Sequence, residues 1–284
     1  MTRLEPVNCP ISGEAGARRV FSYDAAPSGE IGFRRVAGEP YHREVWQFPH
    51  SRHYVSRHAM TVATDYHGDY VDATYGDAAG VARTFERIIA LPPERSDNAG
   101  RMRRVSEVAQ AYMPGIARPR LLDIGSGLGV FPHAVKSAGW DCIALDPDAR
   151  AVQHIRDRVG VEAVCGDFME VGGLGQFDVV TLNKVLEHVT DPVAMLARTR
   201  EFVSGPGFAY VEVPDGEMAA RAGFQREEFF IEHLHVFSLA SLAIMADRAG
   251  FTPIAIERLQ EPSTKYTLRA FLAATHAGGS AAHG

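Results

Sequence analysis

The chain of 284 residues is long enough to bury a core in one large domain or two smaller ones. Hydrophobic residues make up 46% and charged residues 23%, as in ordinary globular enzymes, and the net charge of -6 disfavours nucleic acid as a partner. Three cysteines (Cys9, Cys142 and Cys165) form no even disulfide set, and no segment has the apolar length of a signal peptide or a membrane span. A cytoplasmic location without membrane contact is therefore expected.

The chain divides into two parts that differ in composition and periodicity. Residues 1–100 are rich in Gly, Pro, His, Arg and aromatic residues without sustained periodicity, and we assign them to an N-terminal auxiliary module. Residues 101–275 alternate β-branched runs with helical patterns, which predicts an α/β fold with a parallel sheet covered by helices. Residues 276–284 are small and polar and are expected to form a flexible tail.

The elements predicted in the second part alternate between strands and helices. In chain order they are a helix over 100–113, a strand over 120–124, a helix over 129–138, a strand over 141–145, a helix over 147–158, strands over 161–165 and 177–182, a helix over 192–203, a strand over 208–213, a helix over 239–249, and a strand pair over 252–258 and 266–273. The spacing of the first helix predicts Val105, Val108, Ala109 and Tyr112 in the core.

A glycine loop follows the first predicted strand and is the most informative motif. Its residues of interest are Asp123, Gly125, Ser126, Gly127 and Gly129. Glycines let the backbone turn tightly and approach a ligand without a Cβ, and a helix start offers N–H donors. The G-x-G-x-G spacing differs from the G-x-G-x-x-G of a dinucleotide site, although a nicotinamide cofactor and a turn without a ligand stay open as alternatives.

Polar groups follow the next three strands at the same predicted edge of the sheet. They are Asp146 with Pro147, then Gly166, Asp167 and Phe168, then Asn183 with Lys184. A carboxylate at the end of the second strand can accept hydrogen bonds from both hydroxyls of a ribose, or it can cap the following helix. Because ligands bind outside the carboxyl ends of strands in open α/β sheets, the set indicates one nucleotide-like ligand.

On these motifs, and on Phe177 to His188, the chain resembles class I S-adenosylmethionine-dependent methyltransferases over residues 101–273. The resemblance implies a Rossmann-like sheet and S-adenosylmethionine as the cofactor. It also implies that Asp123 and the glycine loop hold the methionine portion, Asp146 and Pro147 the ribose, and Gly166, Asp167 and Phe168 the adenine, with Asn183 and Lys184 at the methionine end.

Histidines are the first candidates for a base, because methylation of a hydroxyl or an acidic carbon requires proton removal near neutral pH. Glu187-His188 begins just beyond the fourth strand, and His188 either takes the proton or packs on the cofactor and organises the loop. In some quinone-biosynthesis O-methyltransferases that this segment resembles, acids and a histidine hold a metal. Lys184 stands where those enzymes carry a carboxylate, so no metal is expected.

Glu232-His233 is the second candidate. It resembles the Tyr-x-Glu-His segment of sugar C-methyltransferases, in which Glu-His serves proton abstraction, but Phe230 stands in place of the tyrosine. Pocket lining, or a helix-capping network through Ser238, is the alternative. The candidate catalytic residues are therefore His233, His188 and Glu232.

The N-terminal module begins with Cys9-Pro10-Ile11-Ser12, which resembles a zinc ribbon of similar methyltransferases with Ser12 in place of the second cysteine. A four-cysteine zinc site is excluded, because serine cannot replace a thiolate ligand. A mixed site of Cys9, His50, His53 and His58 is the lesser alternative to packing through Phe21, Trp46, Phe48 and Tyr54. Further along, Tyr66, His67, Tyr70 and Tyr75 are predicted to border the substrate pocket, with interdomain packing as the alternative.

The predicted function is S-adenosylmethionine-dependent methylation of an oxygen or a carbon of a small molecule, such as a sugar, a nucleotide-linked sugar or a natural-product intermediate. A nicotinamide-dependent oxidoreductase and an inactive scaffold that retains the cofactor fold are the alternatives. The expected partner is a small-molecule substrate, and the expected oligomeric state is a monomer or a homodimer.

Overall fold

The computed structural model describes residues 8–30, 32, 39–61 and 78–275. The predicted pocket residues Tyr66, His67, Tyr70 and Tyr75 and the predicted tail lie outside the described residues. The strands are β1 Arg18–Tyr23, β2 Arg43–Gln47, β3 Tyr54–His58, β4 Arg120–Ile124, β5 Asp141–Asp146, β6 Glu162–Cys165, β7 Phe177–Asn183, β8 Val203–Pro214, β9 His235–Val236, β10 Phe251–Gln260 and β11 Tyr266–Ala274. The α-helices are α1 Ala78–Ile89, α2 Asp97–Tyr112, α3 Val130–Ser137, α4 Ala149–His154, α5 Pro192–Arg198, α6 Gly216–Ala222 and α7 Leu239–Arg248.

The larger sheet has seven strands in the order β10-β11-β8-β7-β4-β5-β6. The pairs from β8 to β6 are parallel, while β10 and β11 are antiparallel. β4 lies inside the sheet, with Leu122 opposite Ile143 on one side and Val180 on the other. These strands are continuous apolar runs because helices cover both faces of a parallel sheet. The predicted α/β fold is confirmed.

The helices differ from their predicted extents mainly at their ends. α2 buries Val105, Val108 and Ala109 as predicted, but Tyr112 is 42% exposed, so its assignment to the core was wrong. Tyr112 is the last residue of α2, and its ring only touches the edge of Phe208. No helix in the described part of the chain has both the length and the apolarity needed to cross a membrane.

A second, four-stranded antiparallel sheet has the order β1-β2-β3-β9. Its fourth strand comes from the distant part of the chain, because Tyr54 and Val55 of β3 pair with Val236 and His235 of β9. The sequence pattern did not predict β1, β2, β3, β9, α1 or α6. Packing of Trp46 and Phe48 is continuous with the core of the larger sheet, so the N-terminal module is joined to it by backbone pairing and by apolar contact.

Candidate active site

A cavity of about 760 Å³ opens at the carboxyl ends of β4, β5, β6 and β7. The predicted site residues that line it are Gly125, Gly127, Asp146, Pro147, Gly166, Asp167, Phe168, Asn183, Lys184 and His188. The predicted residues Asp123, Ser126, Gly129, Glu232 and His233 do not line it. A cavity of this size suits a drug-sized or nucleotide-sized ligand.

The three glycines of the loop meet different surroundings. All have positive φ, between 49° and 72°, which favours glycine because an L side chain is strained there. A Cβ on Gly125 would lie 2.7 Å from Cγ2 of Val185, and one on Gly129 would lie 2.8 Å from Cγ1 of Ile155. A Cβ on Gly127 would have no described atom beyond its chain neighbours within 4 Å. Gly125 and Gly129 therefore permit close packing, while Gly127 leaves room in the cavity.

Asp123 lies beneath the loop and organises it. Its Oδ1 accepts hydrogen bonds from Oγ1 of Thr181 at 2.6 Å and from Nδ2 of Asn183 at 2.8 Å. Oγ of Ser126 donates to the backbone oxygen of Asp123 at 2.8 Å. Burial raises the pKa of Asp123 to about 6, even though these hydrogen bonds oppose the shift. Asp123 therefore acts on the cavity through Asn183, whose side chain it orients.

Asp146 reaches the cavity wall from the end of β5. Its Oδ2 accepts from Gly127 N at 2.8 Å and its Oδ1 from Asp148 N at 2.9 Å, so the carboxylate links the loop to the next turn. Burial raises its pKa. Across the following strand, Oδ1 of Asp167 accepts from Met169 N at 2.8 Å. Both carboxylates keep lone pairs that can accept hydrogen bonds from ligand hydroxyl or amino groups.

Phe168 is buried as well as adjacent to the cavity. Its ring packs on Phe202 at 5.4 Å between centroids, and the guanidinium of Arg198 lies 5.7 Å from its centre. Nε of Arg198 also donates to the backbone oxygen of Phe168 at 2.7 Å. The aromatic ring is thus fixed in place by protein contacts.

Lys184 adopts a left-handed backbone with φ of 58°, which is strained for a residue with a side chain. Its Nζ donates to Oγ1 of Thr267 at 2.9 Å and lies 3.6 Å from Oε1 of Glu212. Burial raises the pKa of Glu212, but Arg101 and Lys184 outweigh that effect and hold the pKa well below its usual range. The Lys184 ammonium is therefore anchored by β8 and β11.

The two candidate histidines, treated as rivals in the sequence, lie side by side. The ring centroids of His188 and His233 are 5.0 Å apart. Nδ1 of His188 bonds to Glu232 O and Nδ1 of His233 to Glu228 O, each at 2.9 Å. Burial lowers the pKa of His188 to about 4 and that of His233 well below its usual value, so both rings are neutral near pH 7. Because Nδ1 carries the hydrogen, Nε2 is the accepting nitrogen of each ring.

Glu187 completes this group; from the sequence it was named only as the neighbour of His188 and was not counted among the candidate catalytic residues. One carboxylate oxygen of Glu187 and one nitrogen of each imidazole lie within 4.8 Å of one another. Neither carboxylate oxygen has a hydrogen-bond partner among the described residues, and burial raises the pKa of Glu187 to about 8. Glu232 supplies its backbone carbonyl to His188. The adjacency of Glu187 to His188 was the one available signal in the sequence.

Two imidazoles and a carboxylate are also groups that bind divalent metals. The positive charge of Lys184 acts on all three and opposes a second cation, whereas a proton on Glu187 leaves the buried group neutral. The absence of a metal stays a prediction. Within the described ranges this is the only cluster of potential metal ligands, so Cys9, His50, His53 and His58 do not converge. Instead, Sγ of Cys9 lies 3.6 Å from Oγ of Ser51.

The comparisons with known proteins agree with this geometry. Residues 83–256 match the family model described as a methyltransferase domain, which is more than half of the chain. The chain therefore belongs to this methyltransferase-domain family, and the predicted class of protein is confirmed. The match begins after β1, β2 and β3, so it leaves the zinc-ribbon resemblance untested.

Two curated relatives are ubiquinone biosynthesis O-methyltransferases. The protein of Thiobacillus denitrificans is 28% identical over 102 residues, which are 34% of this chain and 44% of that protein. The protein of Bordetella avium is 26% identical over 140 residues, which are 47% of this chain and 56% of that protein. The chain thus spans about half the length of the curated relatives it matches.

Two solved structures share the fold. Magnesium protoporphyrin IX methyltransferase from Synechocystis PCC 6803, with bound SAH, has a TM-score of 0.54 and 14% identity, covering 73% of this chain and 97% of that one. Burkholderia thailandensis 1,6-didemethyltoxoflavin-N1-methyltransferase has a TM-score of 0.53 and 17% identity, covering 81% and 99%. At these identities the likeness shows the fold alone, and it agrees with the predicted Rossmann-like sheet.

Proposed function

We propose that the protein transfers a methyl group from S-adenosylmethionine to an oxygen or a carbon of a small molecule. The observation that carries the proposal is the cavity at the strand ends, whose lining includes nine of the twelve predicted cofactor residues and also His188. Family membership favours this function over a nicotinamide-dependent oxidoreductase.

The cavity lining suits this cofactor. Asp146 offers a buried carboxylate to a ribose, and Asp167 offers an exposed carboxylate to an amino group. Gly127 leaves the wall clear where a Cβ would narrow it. When bound, the cofactor supplies a methyl group on a sulfonium, which is a good leaving group. Asn183 and Lys184 line the cavity and shortly precede His188 in the sequence, and we assign them to the methionine end.

His188 is the base in this proposal. It lines the cavity, and its ring is neutral near pH 7, so Nε2 keeps a lone pair that can accept a proton, although burial makes it a weaker base than an exposed histidine. Its Nδ1 is held by Glu232 O, so the proton of an acceptor hydroxyl goes to Nε2 while the acceptor oxygen bonds to the methyl carbon. His233 does not line the cavity, and we assign it to the support of His188.

A hydroxyl oxygen is the first acceptor to test. The curated relatives carry O-methyltransferase in their names, and Phe230 departs from the tyrosine of the sugar C-methyltransferase pattern. We therefore place phenols, free sugars and nucleotide-linked sugars, each methylated on oxygen, ahead of carbon acceptors.

Calorimetry with S-adenosylhomocysteine and with NAD tests the cofactor, and we expect binding of the former alone. Conversion of S-adenosylmethionine to S-adenosylhomocysteine is then measured with each acceptor class. Binding of NAD alone contradicts the proposal. Binding of S-adenosylhomocysteine without turnover on any class would favour the inactive scaffold.

His188→Asn tests the base. We expect turnover to fall by about 10²–10⁴-fold, the usual contribution of a general base, with the affinity for S-adenosylhomocysteine nearly unchanged. His50→Asn is the matched control, because His50 is exposed in a turn of the N-terminal module. Equal turnover in the two variants would remove His188 from the mechanism.

A further inference from the structure

The connector between α6 and β9, residues 223–234, decides how both imidazoles are oriented. Its carbonyl oxygens at Glu228 and Glu232 accept the Nδ1 hydrogens of His233 and His188, each at 2.9 Å. A ring that donates from Nδ1 is fixed in its tautomer and in its rotation. The orientation of both rings therefore depends on where these two carbonyl groups are held.

Two buried side chains of the N-terminal module hold the connector between those carbonyl groups. Nη1 of Arg43 donates to Phe229 O at 2.5 Å. Ile231 N donates to Oε2 of Glu30 at 2.8 Å. Arg43 and Glu30 form an ion pair of 3.0 Å, with side chains only 0% and 1% exposed. The two members of one ion pair are thus hydrogen-bonded to Phe229 and Ile231 of the connector.

Arg43 is itself fixed by further contacts. Its Nε donates to Oη of Tyr41 at 3.0 Å, and its Nη1 donates to Oγ of Ser56 at 3.2 Å. The guanidinium lies 4.2 Å from the ring centre of Tyr23. A lysine cannot reproduce this arrangement, because its ammonium lacks the planar fork of donors. A buried ion pair adds little net stability once desolvation is counted, so the clearest effect of this one is a fixed geometry.

We propose that the Arg43–Glu30 ion pair is a positioning pair, which orients His188 and His233 by fixing the carbonyl groups to which they donate. The proposal rests on the proposed function, because it takes His188 as the base. Among the described residues of the N-terminal module, Val81 alone lines the cavity, and none of the residues in its strands does. The N-terminal module nevertheless completes the site, since it holds the segment that carries both carbonyl groups.

Nitrogen-15 NMR of the histidine side chains reports the tautomer and the protonation of each ring. In the wild type we expect both rings as the Nδ1–H tautomer near neutral pH. In Arg43→Lys we expect a second population with Nε2–H, because a ring whose carbonyl partner has moved is no longer held as the Nδ1–H tautomer. Arg52→Lys is the matched control, because Arg52 belongs to the same module and pairs with Glu217 instead.

Unchanged His188 and His233 signals in a folded Arg43→Lys protein would overturn the proposal. Glu30→Gln is the second variant, and it decides alone if Arg43→Lys does not fold. It keeps an oxygen for Ile231 N but removes the charge that holds Arg43, so we expect the same tautomer change at smaller amplitude, and no change overturns the proposal. Calorimetry with S-adenosylhomocysteine keeps the two ideas apart: a wild type that does not bind it contradicts the proposed function, whatever the tautomers show.

Discussion

Replacing Gly125 and Gly127 one at a time by alanine separates packing of the glycine loop from ligand binding. Both have left-handed backbones, with φ of 70° and 49°. This conformation costs an L-residue about 1–2 kcal/mol. At Gly125 the new Cβ would also lie 2.7 Å from Cγ2 of Val185. Overpacking of that kind costs about 1–3 kcal/mol more. Gly125→Ala should therefore lower the free energy of unfolding by about 2–5 kcal/mol, and Gly127→Ala by about 1–2 kcal/mol.

The affinity for the cofactor should fall more in Gly127→Ala than in Gly125→Ala, the reverse of the order expected for stability. The Cβ of Gly127→Ala would enter the space that we assign to the ligand, so we expect its affinity for S-adenosylhomocysteine to fall at least about tenfold, which is 1.4 kcal/mol. Urea unfolding measures stability, and calorimetry on the folded proteins measures affinity. Equal losses of stability would refute the packing role of Gly125. Undiminished affinity in Gly127→Ala would refute the position of the ligand over the loop.

Three further predictions concern buried titratable groups. Asp146→Asn should weaken S-adenosylhomocysteine binding about 10–100-fold, because hydrogen bonds to a charged group contribute about 1.5–3 kcal/mol; calorimetry checks this against Asp141→Asn, an exposed residue. Burial lowers the pKa of His235 to about 4. The free energy of unfolding should therefore be highest above about pH 6.5, where the ring is neutral in both states, and should be lower by about 2 kcal/mol at pH 5. The stability deficit of His235→Gln in urea should therefore narrow from pH 7 to pH 5, and a constant deficit contradicts this. Burial raises the pKa of Glu187 to about 8, and this changes the free energy of unfolding with pH in the opposite sense. The stabilisation from the neutral carboxyl group is fully present below about pH 4.5 and is lost as the pH rises to about 8. Glu187→Gln should gain stability relative to the wild type between pH 5 and pH 8, while the exposed control Glu170→Gln should not.

The convergence of the candidate cofactor residues on one cavity was predictable, because these residues follow strands that are recognisable one at a time. Gly125, Asp146, Asp167 and Asn183 each come directly after a short apolar run, and parallel strands bring their carboxyl ends to one edge. Asp123 shows the limit of this reasoning. Its position in the sequence predicts a ligand contact, but the structure places it below the loop, where it acts through Asn183.

The strands of the smaller sheet were not predictable for a different reason. β9 has two residues, too few for any periodicity, and it exists because Tyr54 and Val55 pair with it. The relation between His188 and His233 depends on the same kind of contact. Leu234 N and His235 N both donate to Glu187 O, at 2.8 Å and 3.1 Å, and this backbone pairing brings the two segments together. Single-sequence patterns carry no information about such distant partners.

The two halves of the cavity should therefore respond to different substitutions. The cofactor half depends on left-handed glycines and buried carboxylates that few other residues can replace. The proposed base, His188, in contrast donates to a connector to which Arg43 and Glu30 of the N-terminal module are hydrogen-bonded. Among the described residues, the hydrogen bonds of Arg43 go to Tyr41, Ser56, Phe229 and Glu30, none of which lines the cavity. A substitution of Arg43 can therefore alter the geometry of proton removal without changing a residue that contacts the cofactor. Substitutions of Arg43 or Glu30 should accordingly lower turnover while the affinity for S-adenosylhomocysteine stays nearly unchanged.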